Sequence, residues 1–295
     1  MLAHKLKADG LLMLTALIWG AAFVAQRIGM EHVGPFTFNG VRFALGALAL
    51  QPLIWKMQQT RTREGGGSGI ATGRLVRGGL LAGCVLFAGA ALQQVGIVHT
   101  TAGKAGFITG LYVVMVPLFG LALGHRAGAG TWMGAMAAAA GLYFLSVNED
   151  FSIAYGDVLE LIGAVFWAGH VLLIGKLSPG MDGTDAVKLA AAQFVVCSAL
   201  SLGAGAIMEP ITLAGISSAA VPILYGGLMS VGVAYTLQVV AQRDADPAHA
   251  AIILSLEAVF AAVAGYFVLG EVLGLRALVG CGLMLGGMLL SQLKP

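Results

Sequence analysis

Apolar runs of about 20 residues, separated by short charged or Pro/Gly-containing breaks, recur along the whole chain. A helix rises about 1.5 Å per residue, so each run matches the bilayer's hydrocarbon core of about 30 Å. In lipid every backbone polar group must find a partner inside the protein, which leaves helices or a closed barrel. The runs are too long and too continuous for barrel strands, which alternate over about ten residues. Ten spans are expected, near residues 9–30, 35–56, 77–97, 102–123, 130–148, 156–176, 185–208, 218–241, 247–270 and 275–293. With 58% hydrophobic and 10% charged residues, against about 25% charged in a soluble domain, the chain cannot cover itself with polar surface. The fold class is therefore an all-α polytopic membrane protein. The first apolar run follows Lys5 and Lys7 as a signal peptide would, but similar runs return throughout, and it is expected to be retained.

Basic residues orient the spans, because short cytoplasmic loops collect Lys and Arg. With the N-terminus inside, Lys5, Lys7, Lys56, Arg61, Arg63, Arg74, Arg77, Arg126, Lys176, Lys188, Arg243 and Lys294 fall on the cytoplasmic side. Arg27, Arg42, Lys104 and Arg276 fall on the other, together with the acidic Glu149 and Asp150. Both termini are expected in the cytoplasm. The segment "MQQTRTREGGGSGIATGRLVRGG" is expected as a flexible loop between the second and third spans.

The chain also resembles itself. Trp19 aligns with Trp167 at a separation of 148, and Gln93 with Gln238 at 145. The same 145 carries Lys104 to His249, Tyr112 to Glu257 and Gly120 to Gly265, while Gly134 and Gly141 match Gly280 and Gly287 at 146. A nearly constant offset divides the chain into two five-helix units, 1–148 and 149–295. Five is odd, so the second unit crosses the membrane in the opposite sense. The charges agree: the basic loop after the second span corresponds to "EPITLAGISSA", which has no Lys or Arg. Inverted repeats are a common transporter architecture, with the site at the midplane where the repeats meet.

Several motifs resemble the EamA family of the drug/metabolite transporter superfamily over essentially the whole chain. They are Trp19-Gly20 in the first span, Pro117 late in the fourth, "LEAVFAAVAGYFVLGE" at 256–271 and the glycine-rich last span. The resemblance implies ten helices in two inverted halves, export of small metabolites and a bacterial-type inner-membrane location. Within the family the likeness is to its aromatic-amino-acid exporter. Two departures stand out. Glu257-Ala258 replaces the family's frequent Glu-Pro and so removes the usual cause of a kink, and Gly124-His125 stands where the second half has Gly270-Glu271.

Helical spacing sorts the polar residues onto faces. Trp19, Phe23 and Gln26 share one face of the first span, and Trp167 and His170 share one of its counterpart. Gln93 and Gln238 sit at matching depths, with Tyr235 on the same span as Gln238; Tyr112 parallels Glu257. These ten residues are the candidate substrate-binding set, since polar groups on a lipid-facing surface are costly. Simpler roles stand beside that one. The tryptophans can fill helix contacts, the glutamines can be interhelical hydrogen-bond glue, and His170 can be a satisfied structural histidine. A charge at mid-span costs about 2.5–3.5 kcal/mol on insertion scales, so Glu257 needs a reason: a structural hydrogen bond, proton carriage or recognition of an ammonium group. Arg27, Arg42, Lys104 and Arg276 are expected to snorkel to the interface. The pairs Gly106/Gly110 and Gly282/Gly286 are expected as helix-packing surfaces, and Cys84, Cys197 and Cys281 as small packing residues.

Other chemistry is not supported. Gly103-Lys104 and Gly175-Lys176 lack the flanking residues of a phosphate-binding loop, and the six histidines have no metal-ligand spacing. No cofactor or metal and no nucleic-acid partner is expected. The expected function is a secondary transporter exporting amino acids, aromatic or large apolar, or similar small metabolites, across the inner membrane by alternating access. The alternative is a polytopic membrane enzyme acting on a lipid-linked substrate. A passive channel would show rings of like residues instead. Duplication places both halves of the cavity in one chain, which is compatible with function as a monomer.

Overall fold

Helix is the regular structure throughout the described residues, as the apolar runs demand. A computed structural model describes residues 2–64, 69–99, 102–124, 127–146, 154–269 and 274–293. The first half contains α1 (Leu2–Gly29), α2 (Pro35–Arg63), α3 (Thr72–His99), α4 (Ala102–Gly110), α5 (Tyr112–Ala122) and α6 (Ala129–Ser146). The second contains α7 (Tyr155–Leu177), α8 (Gly183–Met208), the short α9 (Leu213–Ser218) and α10 (Ala220–Leu224). A π-helical stretch (Tyr225–Tyr235) follows, then α11 (Thr236–Ala241), α12 (Pro247–Leu254), α13 (Glu257–Leu269) and α14 (Leu275–Leu293). Six helical stretches among the described residues are long and apolar enough to cross a membrane: Leu6–Gly29, Thr72–His99, Tyr155–Leu177, Gly183–Met208, Ala220–Ala241 and Pro247–Val268. Ile108–Ala122 and Leu275–Ser291 are shorter apolar helices.

The connection after the second span is shorter than expected. α2 continues to Arg63 and α3 begins at Thr72. Arg61 lies 3.2 Å from both Asp182 and Asp185, and the Ile70 amide donates to Asp185 at 2.8 Å. These ties hold the polar end of α2 against the start of α8. The side chains of Lys5 and Lys104, and the whole of His125, Arg126, Glu149, Asp150, Glu271 and Lys294, lie outside the described residues.

α2 and α8 run antiparallel. Ser198 donates to the Gly40 carbonyl at 2.8 Å, and the Phe43 and Phe194 rings meet at 6.1 Å. At the far end Glu209, just past α8, accepts from the Phe36 and Thr37 amides at 2.8 Å each and from the Thr37 hydroxyl at 2.7 Å. A helix's first amides lack intrahelical partners and carry the positive end of its dipole, so a carboxylate there is favourable. Gly34 leaves the room, because a Cβ at that position would overlap the Glu209 carboxyl. Glu209→Ala is expected to cost about 2 kcal/mol, read as a lower thermal unfolding midpoint in detergent. An unchanged midpoint would refute the capping role.

α6 and α14 also cross antiparallel, at close range. A Cβ on Gly134 would stand 2.6 Å from the Gly287 carbonyl oxygen, and one on Gly141 2.6 Å from that of Gly280. These four glycines form the close helix contact; the expected pairs do not. Among the described residues, a Cβ on Gly106, Gly282 or Gly286 would meet nothing within 4 Å, and Gly110 faces Leu142. Spacing of four matched the general small-residue motif, but the crossing uses a spacing of seven. Elsewhere α3 packs on α7 and α8, while the π-helical stretch packs on α1 and α2. α1 lies against α13, and α7 lies against α4 and α5.

The chain breaks between α4 and α5 and between α12 and α13, in each case without proline at the break. Leu111 donates to the Ile108 carbonyl at 3.2 Å and Val114 to that of Leu111 at 3.1 Å. In the second half Leu256 bonds Ile253 and Ala258 bonds Ser255, both at 3.1 Å. Each break is thus a turn tightened to i→i−3 bonding. The Ser255 hydroxyl donates to the Ile252 carbonyl at 2.8 Å, the local competition by which serine disturbs a helical ladder. A break therefore exists at Glu257 even though alanine follows it.

Candidate functional site

These two breaks and the π-helical stretch line one cleft. Nine of the ten expected residues line it. α1 contributes Trp19, Phe23 and Gln26, α3 contributes Gln93, and Tyr112 opens α5. From the second half come Trp167, Tyr235, Gln238 and Glu257. His170, the tenth, stands one layer behind. Its Nε2 is 2.8 Å from Gln193 Oε1, and its ring meets Trp167 at 6.3 Å and Tyr235 at 6.2 Å edge-on.

Tyr235 is the hub of the aromatic wall. Its ring lies 4.5 Å from Trp19, 6.1 Å from Trp167 in a stacked arrangement, and 5.9 Å from Phe43. Widening the helix at Tyr225–Tyr235 also turns backbone acceptors outward. Trp19 Nε1 donates to the Ser230 carbonyl at 3.3 Å and Thr15 to that of Ala234 at 3.2 Å. π-helical segments recur at functional sites.

The polar groups are partly engaged. Tyr112 and Glu257, the first residues after the two breaks, meet across the cleft, with the phenol donating to the carboxyl at 3.2 Å. Gln26 donates to the Ala22 carbonyl at 3.3 Å, but among the described residues its Oε1 has no partner; neither has Gln238 Oε1 nor Trp167 Nε1. A cleft with aromatic walls and unengaged donors and acceptors can bury an apolar body and orient a polar head.

Arg42 corrects an expectation. It is 3% exposed and lines the cleft rather than snorkelling. Seven residues past Pro35, it sits about 10 Å into α2, too deep for its side chain to reach the interface while Asn39, Phe38 and Phe43 hold it. That depth, and Asn39 at i−3, were the available signals. Arg27 is exposed and donates to the Ile97 carbonyl at 3.1 Å, which fits the interface. Thr109 and Ser230 also line the cleft; small hydroxyls common in membrane helices gave no sequence signal. Thr109 donates to Glu160, a second buried acid, at 3.0 Å.

Among the described residues, Asp9, His249 and Ser291 are the one arrangement that resembles hydrolytic machinery. His249 lies 3.0 Å from each of the others, but Ser291 is 1% exposed and its hydroxyl donates to the Met288 carbonyl at 2.7 Å. That geometry ties α1, α12 and α14 together and presents no nucleophile.

Comparison with known proteins places this architecture. The model of the EamA-like transporter family matches the chain twice, over residues 6–147 and 154–293. An uncharacterized transporter of Archaeoglobus fulgidus is 30% identical, over 98% of this chain and 87% of its own. The uncharacterized inner membrane transporter YedA of Escherichia coli K12 is 26% identical, over 90% of this chain and 83% of its own. A solved crystal structure agrees with a TM-score of 0.77 at 17% identity, covering 97% of this chain and 96% of its own; at that identity the likeness is one of fold.

Proposed function

The chain belongs to the EamA-like transporter family, and on that premise we propose that it exports amino acids with aromatic or large apolar side chains, or similar small metabolites. Setting aside the six-residue α9 and counting α4–α5, α10 to α11 and α12–α13 as one span each gives ten helices, in halves 1–148 and 149–295. Three features support an inverted relation between the halves. The family model matches two separate segments. Exchanging the halves converts α1 on α13 into α7 on α4 and α5, and α3 on α7 and α8 into the π-helical stretch on α1 and α2. The helices that would pair with themselves under that exchange, α2 with α8 and α6 with α14, are antiparallel.

The observation that carries the proposal is the shared cleft. Trp19 with Trp167, Gln93 with Gln238 and Tyr112 with Glu257 are equivalent pairs, and all six line it. Tyr112 and Glu257 touch each other, as equivalent residues do only near a two-fold axis. A ligand there bridges the two halves, so rocking one against the other exposes it to each side in turn. An inner-membrane location is inferred from the family, and cytoplasmic termini from the distribution of basic residues.

Purified protein in liposomes, offered labelled phenylalanine or tryptophan, should give saturable uptake that unlabelled large apolar amino acids inhibit. Uptake of none of them by folded protein would remove the amino-acid assignment. Turnover of a lipid-linked substrate would replace transport altogether.

A further inference from the structure

The wall of the cleft carries a guanidinium with no ion-pair partner among the described residues. Arg42 Nε donates to Asn39 Oδ1 at 2.9 Å, and Asn39 Nδ2 in turn donates to the Ala90 carbonyl at 2.9 Å. The guanidinium lies 5.4 Å from the Phe38 ring and 5.0 Å from the Phe43 ring. These contacts fix its plane and occupy one of its five donors. Among the described residues no carboxylate forms an ion pair with it and its terminal nitrogens have no acceptor. Packing alone does not require such a group. A buried charge is costly unless paired, and glutamine would serve the Asn39 contact.

What arginine adds is a rigid fork of parallel N–H donors that matches a carboxylate in two bonds. The surroundings complete the specification. Phe43, under the guanidinium, touches Tyr235, which lies against Trp19 and Trp167. An apolar body attached to a carboxylate at Arg42 would therefore lie on aromatic rings. Glu257 faces the same cleft, which disfavours a second carboxylate on the ligand.

We propose that Arg42 is a carboxylate-binding subsite and that the cleft takes monocarboxylates with an aromatic or large apolar body, α-amino acids among them. This rests on the cleft being the substrate site, as argued above.

The test is binding, measured calorimetrically on the purified full chain in detergent with phenylalanine, 3-phenylpropionate, 3-phenylpropanamide and 2-phenylethylamine. The two carboxylates should bind at least about tenfold more tightly than the amide and the amine, the gap expected of charge-assisted paired bonds. Arg42→Gln should remove that preference by weakening carboxylate binding at least about tenfold. Asn39→Asp supplies a check that keeps the arginine: an internal carboxylate beside the guanidinium should weaken carboxylate binding at least about tenfold. If Arg42→Gln does not fold, the Asn39→Asp result decides. Equal affinity for carboxylate and amide, unchanged carboxylate affinity in either folded variant, or no carboxylate binding at millimolar concentration would overturn the proposal. Carboxylate binding without transport would instead contradict the transport assignment alone, and transport indifferent to Arg42 would contradict this subsite alone.

Discussion

Glu257→Ala is expected to reduce transport by about tenfold or more, while Glu257→Gln keeps a substantial share of it. The carboxyl accepts from Tyr112 at 3.2 Å, and this contact joins the two broken helices where each restarts. Glutamine retains an acceptor of the same reach. Alanine leaves the Tyr112 hydroxyl buried without a partner, a cost of about 1–3 kcal/mol, and about 1.4 kcal/mol corresponds to tenfold in rate. Tyr112→Phe removes the same bond from the other side, and combining it with Glu257→Ala should cost less than the sum. Transport assays on the folded variants decide the matter. A folded Glu257→Gln protein with no transport would show that an ionisable group is required. Sensitivity to an imposed pH gradient in the unmodified protein would then assign it to proton carriage, and insensitivity to recognition of an ammonium group.

The second large effect is structural. Gly141→Leu is expected to destabilise the protein by about 3 kcal/mol or more, the upper range of overpacking. Its Cβ would stand 2.6 Å from the Gly280 carbonyl oxygen and 2.9 Å from the Met284 amide. Those neighbours are backbone, so no rotamer change relieves the overlap; α6 and α14 must separate. Without a hydrophobic drive between helices in lipid, close packing is much of what holds such a pair. Gly282→Leu, on the same α14 but facing open space, should leave the unfolding midpoint nearly unchanged. Equal effects from the two substitutions would refute the glycine contact.

How far the sequence revealed this depended on the kind of signal. Run length and charge asymmetry are one-dimensional, so the helical class and most spans were legible. Trp19, Gln93 and Tyr112 were found through their counterparts at a fixed offset, because equivalence places residues at equal depth even when packing is unknown. Arg42 was read from its place near the helix end alone. The glycine contact was misread because crossing geometry, set by both helices together, decides which spacing meets a partner. The break before Glu257 was hidden for a similar reason: a turn held by Ser255 carries no proline to announce it.

The central claim is a cleft shared by two inverted halves and opened alternately to each side. Its most direct test uses a protein with Cys84, Cys197 and Cys281 replaced and a single cysteine at Gln93 or at Gln238. Each is labelled with a membrane-impermeant thiol reagent from either face of sealed vesicles. The account predicts that both positions react from both faces, and that saturating substrate changes the two faces' rates in opposite directions. Reaction of each position from one face only, unmoved by substrate, would contradict it.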